Sequence, residues 1–504
     1  MFPHLFGYPP APMPTVRPLR PGPVPRTEIC VVGTAADRPF AAALARAGAR
    51  VTLLDGSLEG LPGPAAAGVA EIEACAGAAP THRHGPLRAL LVHERLARWR
   101  FDHVLVCGAA GVGHYACIAR DLGLAHAGTG VWLVDVRLRV AELERGLSFP
   151  DGRTDIEIDF LERETVRRCD GVVVRDPAEA TRMAAAGFEP TAILLWSDGE
   201  VGTLLSGLAE APVRTPATSG PTPRVSVCMP TFNRVEPLVA AAESLFAQTS
   251  ADFEVVLVED GSTAAEARSV VRALEGPFAA RGWTVLRQAN AGPAAARRAA
   301  RGAATGTHLL FMDDDNLALA HEVERFARAA RSGADILTCI PGAHPMSDVG
   351  PRPVAWIDAG DPGGTRVGID WTPVGACPAL CVMVNCLGDN NALIRTQTYD
   401  ALGGHAGDRT FVFEDFHLMS KAVARGFRLE VVPEPLFLYR RHAESRSMGR
   451  HIHTSHLLSL QPWLELVPRP LWPLLLHARR DWYDRHRGRV VADGVTQAPT
   501  PSAK

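Results

Sequence analysis

Polar residues capable of chemistry follow three apolar runs in the second half of the chain. Pro230 to Arg234 (PTFNR), Glu259 to Ser262 (EDGS) and Asp313 to Asn316 (DDDN) each come directly after a short β-rich run. In an open parallel sheet, ligands bind outside the carboxyl ends of the strands. The spacing therefore predicts that three strand ends direct polar groups into one crevice.

The acidic run has the spacing of a metal site. Asp313 and Asp315 stand at alternate positions, so their carboxylates can share a Mg²⁺ or Mn²⁺ ion and leave positions for diphosphate oxygens. Such an ion neutralises charge that builds up on a leaving diphosphate. The alternative is an acidic loop that caps the next helix. The two other polar strand ends favour the metal site.

Two further segments carry charges that suit a transfer reaction. Asn290 to Pro293 opens a helix that includes Arg297 and Arg298, and a helix start with a guanidinium suits a diphosphate. Glu414 and Asp415 follow an apolar segment, and a carboxylate there could deprotonate an acceptor hydroxyl. The alternatives are a solvated basic face and helix-capping acids, respectively.

The elements that must position these residues alternate between strand and helix, which predicts an α/β fold class with two doubly wound domains. A segment with four prolines, Leu208 to Arg224, separates the two stretches of alternating strands and helices. The predicted organisation is a disordered Pro-rich lead-in (1–26), a Rossmann-like domain (27–208), a linker (209–223), a second α/β domain (224–446) and a C-terminal tail (447–504).

Residues 224–442 resemble a family-2-type inverting glycosyltransferase domain with the GT-A fold. The segments that carry the resemblance are VSVCMPTFNR, VVLVEDGST, NAGPAAARRAA, HLLFMDDDN, GDNNALIRTQTYDALGG, FEDFHL and LEVVPEPLFLYRRH. The resemblance implies an enzyme that moves a sugar from a nucleoside-diphosphate donor to a saccharide or lipid-linked (glycolipid) acceptor, with Mn²⁺ or Mg²⁺ as cofactor. Because no Gln-x-x-Arg-Trp motif follows Asp415, we expect single additions. The alternatives are a catalytically inactive nucleotide- or glycan-binding scaffold and a bifunctional transferase.

The resemblance also implies roles for individual residues. It places the base, ribose and diphosphate of the donor beside Pro230, Thr231, Asn233, Asp260 (facing the base), Arg297 and Asp313. It implies metal contacts from Asp313, Asp315 and His442, a catalytic base at Asp415 with Glu414 beside it, and acceptor contacts from Asn390 and Asn391. The Arg-Asn pair common in the third motif is Arg297-Arg298 here.

The first domain shows weaker signals. Gly33 and Asp55 do not complete a dinucleotide-binding fingerprint, and the Gly-rich turn at 107–114 could either bind a ligand or permit close packing. The segment from Asp155 to Phe188 resembles the end of the N-terminal, acceptor-side half of a GT-B glycosyltransferase. The donor half of that fold does not follow, so we expect no transfer by this domain alone.

Composition narrows the partners. A formal net charge of −3 provides no field that would recruit nucleic acid. Scattered cysteines in apolar runs favour a reducing cytoplasm, and no run of apolar residues is long enough to span a membrane. The tail mixes Trp, Leu and Arg, so it predicts either peripheral contact with the inner face of the membrane or a packing segment.

Overall fold

The structure is a computed structural model in which residues 16–18, 27–57, 60–73, 85–137, 153–185, 188, 190–196, 200–216, 218, 220–344, 353, 355–358, 366–407, 410–441 and 452–481 are described. The chain divides into two compact units, Met1–Ser219 and Gly220–Lys504. The division falls inside the expected linker (209–223).

The first unit contains one parallel sheet. Its strands are β1 Val16–Pro18, β2 Glu28–Gly33, β3 Arg50–Asp55, β4 Val69–Glu73, β5 His103–Ala109, β6 Gly130–Arg137, β7 Gly171–Val174 and β8 Ile193–Leu195. Its helices are α1 Arg38–Arg46, α2 Gly85–Leu96, α3 His114–Asp121, α4 Arg153–Arg168, α5 Pro177–Ala185 and α6 Val201–Glu210. The order β1-β8-β7-β6-β5-β2-β3-β4 reverses direction between β2 and β5, as in a doubly wound fold.

Both faces of this sheet are buried. Along β2, Ile29 and Val31 belong to one apolar cluster, whereas Cys30 and Val32 belong to another. Because successive side chains of a strand point to opposite faces, the two clusters are the cores on either side of the sheet. This explains the continuous apolar run at residues 29–32.

Local contacts show what the Gly-rich turn at 107–114 and Asp55 do in the first unit. A Cβ added at Gly111 would lie 3.0 Å from the Leu161 Cβ, and one at Gly113 would lie 3.0 Å from the Thr165 Cγ2. These glycines therefore let α4 pack closely against the turn. Asp55 is buried and accepts hydrogen bonds from the Ser57 amide (2.8 Å) and the Gly60 amide (2.9 Å), so it stabilises a turn.

The chain start includes one short strand. Val16–Pro18 pairs in parallel with Ile193–Leu195 and forms the edge strand of the sheet. The expected disordered lead-in (1–26) therefore includes three residues with regular structure. Three residues of β-type backbone gain ladder hydrogen bonds at an open sheet edge, which the proline content of the lead-in did not reveal.

The second unit contains a mixed sheet. Its strands are β9 Val225–Thr231, β10 Phe253–Glu259, β11 Thr284–Arg287, β12 His308–Phe311, β13 Leu317–Ala318, β14 Ile336–Ala343, β15 Ala355–Asp358, β16 Arg366–Ile369, β17 Ala392–Arg395 and β18 Leu429–Tyr439. Its helices are α7 Glu236–Phe246, α8 Ala265–Ala280, α9 Pro293–Ala303, α10 Glu322–Ala330, α11 Pro378–Met383, α12 Thr396–Leu402, α13 Glu414–Ala424, α14 Ile452–Ser459 and α15 Gln461–Leu464.

The sheet has a parallel half and a half that contains antiparallel pairs. Its strand order is β11-β10-β9-β12-β17-β14-β16-β15. The first four strands are parallel, and β17 runs antiparallel to both β12 and β14. Two α/β units are thus confirmed as the fold class. The antiparallel half is an addition that the strand–helix rhythm did not predict. It brings the start of β17 beside the end of β12.

The region expected to be a tail contains regular structure and packs on the second unit. Helices α14 and α15 lie against α13, and residues 472–481 are helical. The buried Arg479 guanidinium donates to the Met383 carbonyl (2.7 Å) and the Ser459 hydroxyl (3.1 Å). No helix among the described residues is long and apolar enough to cross a membrane.

Candidate functional site

The loops after β9 and β10 are joined by Asn233. This residue has a left-handed backbone (φ 53°), and its Oδ1 accepts from the amides of Thr263 (2.8 Å) and Ala264 (3.0 Å). Asparagine tolerates this conformation because its short polar side chain can bond nearby backbone. Asn233 therefore fixes the two loops to each other at the carboxyl edge of the sheet.

Asp260 joins the end of β10 to the loop that leads into α9. Its Oδ1 accepts from the Gln288 side chain (2.7 Å) and the Ala291 amide (2.9 Å), and its Oδ2 accepts from the Gly292 amide (2.8 Å). Both oxygens therefore hold the loop that leads into α9, and the expected contact of Asp260 with a base stays a prediction. Gly261 allows the close approach, because a Cβ there would lie 2.6 Å from the Asn290 nitrogen.

Pro230 and Thr231 lie in the buried end of β9. The next residue, Phe232, exposes 41% of its surface at the same edge. An exposed ring beside a polar loop can stack on a planar ligand group. The sequence prediction missed Phe232, although its position after a buried strand end was visible.

The three aspartates after β12 differ in exposure. The side chains of Asp313 and Asp315 are 31% and 17% exposed, whereas Asp314 is buried. Burial and the neighbouring Asp315 carboxylate raise the pKa of Asp314 to about 7. Arg234, which the sequence prediction also missed, contacts Asp315 at 3.2 Å and Asp314 at 3.5 Å. The two outer carboxylates supply the hard oxygen ligands that Mg²⁺ and Mn²⁺ prefer.

Metal binding would need more oxygen atoms than these two residues provide. The described residues contain no group of three or more His, Cys, Asp or Glu side chains arranged to hold an ion. His442, the third expected ligand, lies outside the described residues. The residues present fit an ion that takes its remaining ligands from water and a diphosphate, as Mg²⁺ commonly does.

Arg297 lies between two carboxylates. Its Nη2 donates to the Asp313 Oδ1 (2.6 Å), and its Nη1 donates to the Glu414 Oε1 (2.8 Å). The arginine is 4% exposed and Glu414 is 5% exposed, so this ion pair is buried. The guanidinium therefore links the strand end of β12 to the first turn of α13, and the expected contact with a diphosphate stays a prediction.

Asp415 follows Glu414 in that first turn. Burial and the Glu414 carboxylate raise the pKa of Asp415 to about 7, and Arg297 opposes this shift. A carboxyl group with a pKa near neutrality is suited to accept a proton from a substrate. Asp389 is a further carboxyl group that the sequence prediction missed. Burial and its neighbours Asp313 and Asp415 raise the pKa of Asp389 well above its usual range.

The two asparagines of the GDNN segment have separate environments. The Asn390 Nδ2 donates to the Asp313 Oδ1 (3.0 Å), so this residue belongs to the carboxylate cluster. The Asn391 side chain is 1% exposed and donates to the Glu322 carboxyl group. The Asn391 side chain therefore joins the start of β17 to α10, and its expected contact with an acceptor stays a prediction. Gly388 precedes them at φ 139°, where a Cβ would lie 2.4 Å from the Thr338 Cβ.

Part of the second unit matches a family of known proteins. Residues 226–376 match the Glycosyl transferase family 2 model. The second unit therefore contains a segment that is similar to this family. The matched residues include Arg297 and Asp313, whereas Glu414 and Asp415 follow the match. The buried Arg297–Glu414 ion pair connects the two parts.

Curated relatives resemble a limited part of the chain. An uncharacterised glycosyltransferase of Rickettsia felis is 32% identical over 103 residues, which are 20% of this chain and 16% of that protein. An uncharacterised glycosyltransferase of Nostoc sp. is 34% identical over 102 residues, which are 20% of this chain and 31% of that protein. The chain thus matches under a third of each relative's length.

A solved structure also resembles the chain. The Staphylococcus aureus TarS 1-349 structure in complex with UDP-GlcNAc is 17% identical, with a TM-score of 0.39, and the likeness covers 54% of this chain and 74% of that chain.

Proposed function

We propose that this protein transfers a sugar from a nucleoside-diphosphate donor to a hydroxyl group of a saccharide or lipid-linked acceptor, with inversion at the anomeric carbon. The observation that carries the proposal is the Arg297 bridge. It joins the strand-end carboxylate Asp313, within the family 2 match, to the helix start that bears Glu414 and Asp415. A donor-side acid and a potential base are thereby held in one cluster.

In this reaction Asp415 takes the proton of the acceptor hydroxyl while the acceptor oxygen attacks the anomeric carbon. The new carbon–oxygen bond forms on the face opposite the breaking bond to the diphosphate, which inverts the configuration. Proton removal by a positioned carboxylate contributes roughly 10²–10⁴-fold. A pKa of about 7 leaves much of Asp415 deprotonated at neutral pH and still basic enough to hold the proton.

Asp313 and Asp315 would hold a Mn²⁺ or Mg²⁺ ion in this proposal. The ion would supply positive charge to the leaving diphosphate. The protein's own contribution is to keep the two carboxylates on one loop while Arg297 and Arg234 limit their mutual repulsion. Asn390 supports the same arrangement through its bond to Asp313.

A lipid-linked acceptor would favour contact with a membrane surface. The C-terminal helical region exposes Leu457, Leu458, Leu466 and Leu474, and Arg469 lies near them in sequence. Apolar side chains with a basic neighbour suit the interface of an anionic bilayer. Within this proposal the protein works in the cytoplasm, at the inner face of the membrane. Co-sedimentation with anionic vesicles measures that contact.

The experiment that tests the proposed function is donor turnover with and without metal. A panel of UDP-, GDP- and dTDP-sugars is incubated with Mn²⁺ or Mg²⁺, and release of nucleoside diphosphate is measured. We expect metal-dependent release from at least one donor, and Asp315→Ala should abolish it because a direct ligand of the ion is lost.

Asp400→Ala is the matched control. Asp400 is a half-exposed acid of the same unit that pairs with Arg301 outside the cluster, and its loss should leave release unchanged. If no donor is turned over, an inactive binding scaffold explains the fold better. Undiminished release by wild-type protein in the presence of a chelator would contradict the metal assignment.

A further inference from the structure

A chain of buried side chains leads from α12 to Asp313. The Tyr399 hydroxyl lies 3.0 Å from the His405 Nδ1, and the His405 Nε2 lies 3.2 Å from the Asn390 Oδ1. The Asn390 Nδ2 lies 3.0 Å from the Asp313 Oδ1. Tyr399, His405 and Asn390 expose 2%, 2% and 6% of their surfaces, so water does not substitute for these contacts.

The chemistry of the groups fixes the direction of every bond in this chain. The Asp313 carboxylate is held by Arg297 and can only accept, so Asn390 must present its NH₂ group to it. The Asn390 carbonyl oxygen then faces His405, whose Nε2 must carry a proton. His405 is neutral, because burial and the charges of Arg297 and Arg298 lower its pKa well below the usual range.

A neutral histidine carries one ring proton, so the His405 Nδ1 is an acceptor. Tyr399 therefore donates its O–H to the His405 Nδ1. The same hydroxyl oxygen accepts from the His405 backbone amide (3.2 Å). One set of donor and acceptor assignments therefore satisfies every bond from Tyr399 to Asn390. In that set the last donor is the Asn390 NH₂ group, which points at Asp313.

The two donors to Asp313 use the same oxygen. Arg297 and Asn390 both reach Oδ1, and no side chain or amide in the described parts of the chain donates to Oδ2. The Asp313 side chain remains 31% exposed. One oxygen is therefore fixed inside the protein, and the other remains available to a ligand.

We propose that His405 and Tyr399 are positioning residues for the donor nucleotide, because they orient the Asn390 amide so that Asp313 presents its Oδ2 to that nucleotide. This inference rests on the proposed function, in which Asp313 is the donor-side acid that helps to hold the ion at the diphosphate. Neither residue touches the donor itself.

Loss of the His405 Nε2–H leaves the Asn390 oxygen buried without a donor. The amide is then held only through its NH₂ bond to Asp313, so the orientation of the Asp313 carboxylate is fixed less firmly. A buried hydrogen-bond partner left unsatisfied typically weakens the dependent state by about tenfold or more. The effect should fall on nucleotide binding, because this chain of contacts ends at Asp313.

The test measures the dissociation constants of UDP, GDP and dTDP in Mn²⁺ by titration calorimetry on the full chain. His405→Leu should raise the dissociation constant of the nucleotide by about tenfold. Tyr399→Phe should raise it by a smaller factor, because this change removes only the bond that fixes the His405 tautomer. His405→Gln should stay within about twofold of wild type, because its side-chain NH₂ can reach the position of the Nε2–H.

His308→Leu is the matched control, because His308 is a half-buried histidine at the opposite end of the strand that leads to Asp313. It should bind the nucleotide as wild type does. The proposal is overturned if folded His405→Leu binds normally, or if His405→Gln binds as weakly as His405→Leu. Should His405→Leu fail to fold, normal binding by Tyr399→Phe together with weak binding by His405→Gln overturns it. If the wild-type protein binds none of the three nucleotides, the proposed function and this role are both rejected. If the wild type binds and only the variants behave differently from expectation, this role alone is rejected.

Discussion

At the scale of single residues, the protonation of Asp415 governs the proposed reaction. Its carboxyl group has a pKa of about 7, so the basic form is lost as the pH falls below that value. We expect kcat/KM of the wild type to rise with pH through this region. Asp415→Asn should lower kcat by roughly 10²–10⁴-fold and change the donor KM little, because the proton acceptor is removed while the shape is kept.

A second carboxyl group with a pKa of about 7 provides the control. Asp314 titrates in the same range, so the rise of kcat/KM with pH (the rising limb of the pH profile) could come from either residue. Asp314→Asn should keep the limb, whereas Asp415→Asn should lose it in the remaining activity. A limb that persists in Asp415→Asn and disappears in Asp314→Asn would assign the titration to the aspartate run instead.

At the scale of elements, the pair formed by Glu322 and Asn391 joins α10 to the start of β17. Glu322 is fully buried, and burial raises its pKa from 4.5 to about 8. At neutral pH the folded protein therefore retains a proton that the unfolded chain releases. The free energy of unfolding should fall as the pH rises from about 4.5 to about 8, and this contribution should be constant outside that window.

Glu322→Gln removes the titrating group and keeps an amide of the same shape. Denaturant unfolding at several pH values should show a smaller decline of stability with pH for Glu322→Gln than for the wild type. Glu324→Gln, two residues along the same helix, is the control, because Glu324 is exposed and should keep the wild-type slope. Equal slopes for wild type and Glu322→Gln would mean that Glu322 ionises normally in the folded state.

The same elements show what the sequence could and could not predict. The three polar strand ends were predictable, because a buried apolar run followed by acids or amides is visible in one dimension. The directions of Asp260, Arg297 and Asn391 were not, because each side chain is turned by a partner distant in sequence. His405 gave no signal either, since its role depends on the antiparallel β17 lying beside β12.

At the scale of the whole molecule, the two units have separate sheets and separate cores, so each can be tested alone. A cut near Leu208 would damage the first unit, because α6 ends at Glu210 and buries Leu204, Leu205 and Leu208 in its core. The division before Gly220 avoids this. Circular dichroism and thermal unfolding of fragments 1–219 and 220–504 would show whether each folds.

We predict that fragment 220–504 still releases nucleoside diphosphate slowly from its donor in the presence of metal, because the carboxylate cluster lies wholly within it. Its KM for the acceptor should rise, since we propose that residues 27–208 bind or dock the acceptor. Fragment 1–219 should transfer nothing. Its glycine turn packs against α4 and its Asp55 holds a turn, so neither feature is left to cradle a diphosphate. Sugar transfer by fragment 1–219 alone would establish a second active site. Unchanged acceptor kinetics in fragment 220–504 would show that the first unit has no part in acceptor binding.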